Sequence, residues 1–129
     1  MMEPEWVLPS LVETIHQEQI DEHGGLAGVR DAGLLESALA RPRQLFSFGD
    51  PDLCDLAAAY AFGIARNHPF LDGNKRTAFV VCELFLILNK VSLSADDETC
   101  IKTMLALASG SMTEQAYADW LRSVTRLVP

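Results

Sequence analysis

His68, Asp72, Lys75 and Arg76 stand together in the stretch HPFLDGNKR, residues 68–76, which runs through Thr77 and Ala78 into the apolar segment FVVCELFLIL. Each residue type there suits handling a phosphate. Pro69 disfavours a helical His68 and makes residues 68–72 a loop, while Asp72 is placed to cap a helix running from Gly73 to about Lys90. A helix N-terminus offers unpaired N–H groups and a positive dipole end, so it attracts anions. Gly73 lets a ligand approach the backbone, and Lys75 and Arg76 add charge of the sign that the dipole disfavours in an empty helix. A polyphosphate would reconcile these features. Asp72 would repel that phosphate unless a divalent cation lay between them, as Mg²⁺ does between a carboxylate and phosphate oxygens. A neutral imidazole at His68 could accept the proton of an attacking hydroxyl. The plainer alternative is a capped helix start with a surface histidine and a solvated Lys-Arg pair. The chemistry of the residues alone leaves both open.

The elements that must hold this loop read as helices. Pro9 and Ser10 open a first helix that ends at His23, Gly24 and Gly25, with Leu11, Ile15 and Ile20 on its buried side. Asp31 is the expected N-cap of a second helix, DAGLLESALA, stopping before Pro42. RPRQLFSFGD follows, with Phe46 and Phe48 alternating with polar residues, which suggests a short strand, a hairpin or an ordered loop. Asp50-Pro51-Asp52 starts a third helix that runs through Arg66, with Leu53, Leu56, Ala57, Tyr60, Ala61 and Ile64 on one face. The helix after Gly73 is apolar nearly all round, as a buried central helix would be. Val91 to Leu93 suggest a short extended piece. Asp96 or Asp97 opens a fifth helix ending at Gly110, and Thr113 a sixth with Ala116, Trp120, Val124 and Leu127 on one side. The expected architecture is all-α, six helices in one domain over residues 1–129, with at most one small hairpin.

Composition narrows the function classes. Of 129 residues 49% are hydrophobic, enough for one core. Eighteen acids against ten bases give a formal charge of -8, which disfavours direct binding to nucleic acid or an anionic membrane. The first residues carry no leader-like pattern, and the longest apolar run is shorter than the roughly 20 residues a span needs. Cys54, Cys82 and Cys100 form no C-x-x-C pair, are expected to be small buried hydrophobes, and fit a reduced cytoplasm. His16 is expected to be an ordinary surface or half-buried histidine, and His23 to help end its helix. Glu83, inside an apolar helix, needs a partner or exposure. Trp6 and Trp120 are expected core anchors. Arg66 suits the helix end it occupies and could also reach the phosphate site.

HPFLDGNKR resembles the signature of the Fic/Doc family, H-P-F-x-(D or E)-G-N-G-R-x-x-R. His68, Pro69, Phe70, Asp72, Gly73, Asn74 and Arg76 match it. Lys75 replaces a Gly, and Phe79 replaces the second Arg. Both departures resemble the Doc branch, the death-on-curing toxins, as does EHGGLAGVRDAGLLESALARP, residues 22–42. The resemblance implies a compact Fic/Doc fold and a nucleotide-dependent transfer to a protein hydroxyl, using ATP and Mg²⁺. It implies His68 as general base, Asp72 as the Mg²⁺ ligand, and Gly73, Asn74 and Lys75 as the anion hole. Arg76 becomes a phosphate clamp, Phe70 the loop's anchor, and Leu45 to Gly49 a flap aligning the target.

Fic enzymes move AMP, and Doc proteins move the γ-phosphate from a reversed nucleotide. Lys75 and Phe79 favour the kinase, Gly73 leans towards AMP transfer, and an idle partner-binding module is the third reading. The resemblance also implies a translation factor such as elongation factor Tu as target. Thr14 and Glu18 have the spacing of the family's inhibitory helix, but Gln19 breaks that pattern and Phe79 removes its Arg partner. A separate, adjacently encoded antitoxin that folds into a helix near the site is therefore the expected restraint.

Overall fold

The computed structural model describes residues 2–129. Six helices and two short strands follow in the order α1 (Pro9–His23), α2 (Ala32–Phe48), α3 (Leu53–Asn67), α4 (Asn74–Leu88), β1 (Val91–Leu93), α5 (Asp97–Ser109), α6 (Glu114–Val124) and β2 (Thr125–Leu127). The all-α reading is correct. No helix among the described residues is long and apolar enough to cross a membrane.

α3 is the hub, packed against α2, α4, α5 and α6. Its run Leu56–Ala61 is at most 1% exposed. Alanines at 57, 58, 59 and 61 leave it slim enough for neighbours to come close on several sides. At Gly63 a side chain would begin 3.0 Å from the Ala38 carbonyl oxygen of α2, so this crossing requires glycine. A capping box starts α3: Asp52 accepts from Asp55 N–H at 2.8 Å, and Asp55 accepts from Asp52 N–H at 3.0 Å. Arg122 of α6 bonds both acids and Asp119, tying α6 to that end.

α4 is less enclosed than its composition suggests. Thr77, Ala78, Val81, Cys82, Phe85 and Leu86 are fully buried. Phe79, Val80, Glu83 and Leu84 are only half-buried, and Ile87 is exposed. Glu83 therefore escapes burial by facing outward.

Pro42 does not stop α2, which continues to Phe48 and so removes the strand or hairpin expected there. The proline forfeits one bond to Ala38 and disfavours a helical Arg41. Burial outweighs this, because Leu35, Ala38, Leu39 and Pro42 make one continuous face against α3. Phe46 then meets Trp6 edge-on at 5.8 Å between ring centroids, while Phe48 is 90% exposed. The extended piece at 91–93 is present, but it pairs antiparallel with the C-terminal segment, Val91 opposite Leu127 and Leu93 opposite Thr125. Leu127 thus leaves the helix face expected for it.

Two helix faces are shifted from expectation. α6 buries Tyr117, Ala118 and Leu121, with Trp120 and Val124 at the margin and Ala116 exposed. α1 buries Val12 with Ile15 and Ile20, and leaves Leu11 38% exposed. In both, the apolar residues cover more than half a turn, and only the packing partner selects which edge goes in. The three cysteines are free and buried, and burial pushes the Cys82 thiol far up.

Candidate active site

The loop from His68 to Gly73 joins α3, the hub, to α4. It is held from three sides. His68 ends α3 in the left-handed region, φ 49 and ψ 55, a conformation that costs a non-glycine residue about 1–3 kcal/mol. Arg30 offsets that cost: its Nε donates to the His68 carbonyl at 2.7 Å and its Nη2 to the Asn67 carbonyl at 2.9 Å. Backbone bonds continue the clamp, with Arg30 N–H to Pro69 C=O at 2.7 Å and Leu71 N–H to Gly28 C=O at 3.1 Å, around a bridge between Val29 and Phe70.

From inside, Asn74 staples the loop. Its Oδ1 accepts from Phe70 N–H and its Nδ2 donates to Phe70 C=O, each at 3.0 Å. Nδ2 also lies 3.4 Å from His68 Nδ1, a long contact that leaves the ring's tautomer open. From below, α1 supplies His16, which stacks on Phe70 with centroids 3.8 Å apart and donates from Nε2 to Asp72 C=O at 2.8 Å.

Asp72 does not cap α4. The N-cap is Gly73 at φ 72, and Asp72 lies one residue earlier with its own job. Its Oδ1 accepts from Gly73 N–H at 3.0 Å and its Oδ2 from Leu26 N–H at 3.3 Å. The first bond within α4 runs from Thr77 N–H to Gly73 C=O at 3.0 Å. The N–H groups of Asn74, Lys75 and Arg76 therefore have no acceptor within the helix. Lys75 and Arg76 are exposed beside them, and Arg76 Nη2 donates to Gly24 C=O at 3.2 Å.

His68, Asp72, Gly73, Asn74, Lys75 and Arg76 all line one cavity of about 720 Å³. Its far wall is apolar, from Phe79 and Val80 of α4 and Ile101, Met104 and Leu105 of α5. A second, more open hollow of about 590 Å³ shares only His68, Lys75 and Leu105 with the first and is bordered by Ser109 and Ser111. His68 thus stands where two openings meet. Among the described residues no three His, Cys, Asp or Glu side chains converge as a metal cage. Asp72 and Asp97 of α5 are the carboxylates of this cavity, and Asp72, next to the open N–H donors, suits a cation that arrives with phosphate oxygens, as Mg²⁺ does.

Three further sequence expectations about the site change. Asn74 spends its side chain inside the loop, so only its backbone N–H is open at the start of α4. Arg66 is outside both cavities, with its guanidinium over the Phe62 ring at 5.4 Å and beside Gly110. Leu45 to Gly49 lies at the start of α3, a helix of 15 residues, about 22 Å from His68 at its end. The segment that lies over the active loop is 24–31 instead. His16, Arg30 and the α5 wall were not legible as site residues. The one local hint was the glycine-rich run at 24–28, where Gly25 at φ +119 leaves no room for a side chain: a Cβ there would stand 2.7 Å from Asp72 Oδ2.

Comparison with known proteins gives the family. The chain is 49% identical over 75 residues to Toxin Doc of Mycolicibacterium smegmatis, covering 57% of this chain and 58% of that protein's length. It is 33% identical over 117 residues to Protein kinase doc of Escherichia phage P1, covering 90% of this chain and 92% of that one. The model of the Fic/DOC family matches residues 6–86, from α1 to near the end of α4, and so takes in the whole loop and every clamp on it. This chain belongs to the Fic/DOC family.

Proposed function

We propose that this chain is a Doc-like toxin that transfers the γ-phosphate of ATP to a serine or threonine hydroxyl of a host protein. The observation that carries the reading is the convergence of His68, Asp72 and the open N-terminus of α4 on one cavity. The N–H groups of Asn74 to Arg76, with Lys75 and Arg76, bind the phosphates. The apolar wall of Phe79, Val80, Ile101 and Met104 receives the base. The target hydroxyl enters through the smaller opening, where His68 takes its proton. Mg²⁺, when bound through Asp72, neutralises charge on the phosphate oxygens. The loop's clamps hold base and anion site in register, which is most of what phosphoryl transfer asks of a protein.

Lys75 at the meeting of the two openings, and a ring rather than a guanidinium at Phe79, favour γ-transfer over AMP transfer. The name of one relative, Protein kinase doc, supports the same choice, and that of the other, Toxin Doc, supports the toxin reading. A translation factor such as elongation factor Tu fits as the target by family likeness. A cognate antitoxin helix fits the apolar wall, where Ile101 is 61% and Leu105 50% exposed. Harmless expression without a partner would count against the toxin reading.

The test uses ATP labelled separately on the α- and γ-phosphorus, with Mg²⁺, a bacterial lysate, and wild type beside His68→Ala. Protein labelled from γ only, and lost in the variant, supports the kinase. Label from α replaces it with AMP transfer. Label from neither removes ATP as the donor, in favour of a different nucleotide or an idle binding module.

A further inference from the structure

His16 is a titratable side chain only 3% exposed, in the middle of α1, and the transfer described above makes no use of it. Burying a polar ring costs free energy unless its hydrogen bonds are made. Its Nε2 meets the Asp72 carbonyl oxygen at 2.8 Å. A carbonyl oxygen only accepts, so Nε2 carries the hydrogen. The ring is nearly parallel to Phe70, with 6° between planes. The same face of α1 reaches Gly73, where a Cβ would lie 3.8 Å from His16 Nε2 and 3.2 Å from Ile20 Cδ1. One imidazole thus stacks on Phe70 at one end of this span and bonds the Asp72 carbonyl, next to Gly73, at the other.

The consequence follows from the planarity of the peptide bond. The Asp72 C=O and the Gly73 N–H belong to one rigid plane and point in opposite directions. Holding the C=O on His16 therefore aims the Gly73 N–H, and that N–H donates to Asp72 Oδ1 at 3.0 Å. A single donor on α1 fixes the peptide, the carboxylate above it and the entry direction of α4.

We infer that His16 is a positioning residue for the phosphate and metal site: its Nε2–H sets the Asp72–Gly73 peptide plane and through it the Asp72 carboxylate and the open N–H groups of α4. The inference rests on the reading of Asp72 and α4 as the nucleotide site. It also explains why α1 places a histidine beside Val12, Ile15 and Ile20 on its buried face, where an aliphatic residue would fill the space but leave the Asp72 carbonyl without its donor.

Two variants of the full chain separate the hydrogen bond from the ring. His16→Phe keeps the stack on Phe70 and removes the donor. His16→Gln keeps a donor at a similar reach and removes the ring. Two readouts are taken. The first is hydrogen exchange of the Gly73 amide in the protein alone. The second is the Mg²⁺ concentration that half-saturates ATP binding in calorimetry, with the melting temperature measured alongside. Residues that orient a metal ligand typically contribute about tenfold to hundredfold in affinity. His16→Phe is expected to speed Gly73 exchange and raise the Mg²⁺ requirement by about that factor, while His16→Gln stays within about threefold of wild type. Wild-type behaviour of His16→Phe in both readouts would overturn the inference. So would equal impairment of both variants, which would leave the ring's packing as its whole role. If wild type shows no Mg²⁺-dependent ATP binding, the proposed function fails instead, and the Gly73 exchange comparison alone decides the role of His16.

Discussion

Asn74→Ala distinguishes two roles for the asparagine of the motif. If its amide served the anion, its loss would weaken nucleotide binding and leave the empty protein as stable as before. The structure gives the opposite expectation. Asn74 is 6% exposed and its side chain supplies both partners of the Phe70 backbone, each at 3.0 Å. Phe70 is itself 1% exposed, so truncation strands one N–H and one C=O away from water. Each stranded group costs about 1–3 kcal/mol. Entry of a water into the space left behind would recover part of that, so the net loss is about 2–4 kcal/mol. For a chain of this size that lowers the melting temperature by roughly 10 °C. Asn74→Asp is a second probe: it keeps an acceptor for the Phe70 N–H but sets a buried anionic oxygen against the Phe70 C=O, and should melt below wild type. Both are measured by thermal unfolding without nucleotide. A melting temperature within about 1 °C of wild type for Asn74→Ala, together with lost ATP binding, would refute the loop-staple role.

Other sites give further tests. Gly25→Ala puts a methyl 2.7 Å from Asp72 Oδ2 at φ +119, so it should cost about 1–3 kcal/mol in stability and displace the carboxylate, read as a higher Mg²⁺ requirement for ATP binding. Arg66→Ala should leave ATP binding within about twofold of wild type, because Arg66 packs on Phe62 outside both cavities; a tenfold loss would return it to the phosphate site. The Asp52 carboxyl is pushed up by partial burial, but the Asp55 N–H and Arg122 outweigh this and hold it below its ordinary value; Arg122 likewise lowers Asp119. Groups depressed in the folded state stabilise it above the ordinary aspartate value of about 3.9 and lose that contribution as pH falls through the lower folded value. Arg122→Ala should therefore flatten the dependence of melting temperature on pH below about pH 4, and an unchanged acid limb would count against this network.

Much of the molecule was legible from local chemistry. Caps at Asp31, Asp52, Asp96 and Thr113 act through a side-chain oxygen on an N–H three residues on, a bond within one turn, and all four are made. The order and type of helices follow from these caps and from apolar periodicity. The candidate site in HPFLDGNKR was legible because its groups are close in sequence and a tight loop keeps them close in space. What local reading could not settle is how burial across the fold divides between competing faces and conformations. Pro42 argues for a helix end, yet the face from Leu35 to Pro42 gains more by packing on α3 than one missing bond costs. α4 has the more uniformly apolar sequence, yet α3 is the enclosed helix, because its alanines and Gly63 let neighbours close in from several sides. His16, Arg30 and the α5 wall are far from the motif in sequence. They join it only when α1, the 24–31 segment and α5 fold against the loop, and no spacing along the chain records a contact made across it. The sequence by itself determined which residues could form a phosphate site and the helices that carry them; the tertiary structure alone decided which distant side chains hold those residues still, because burial and hydrogen-bond satisfaction are properties of the assembled core.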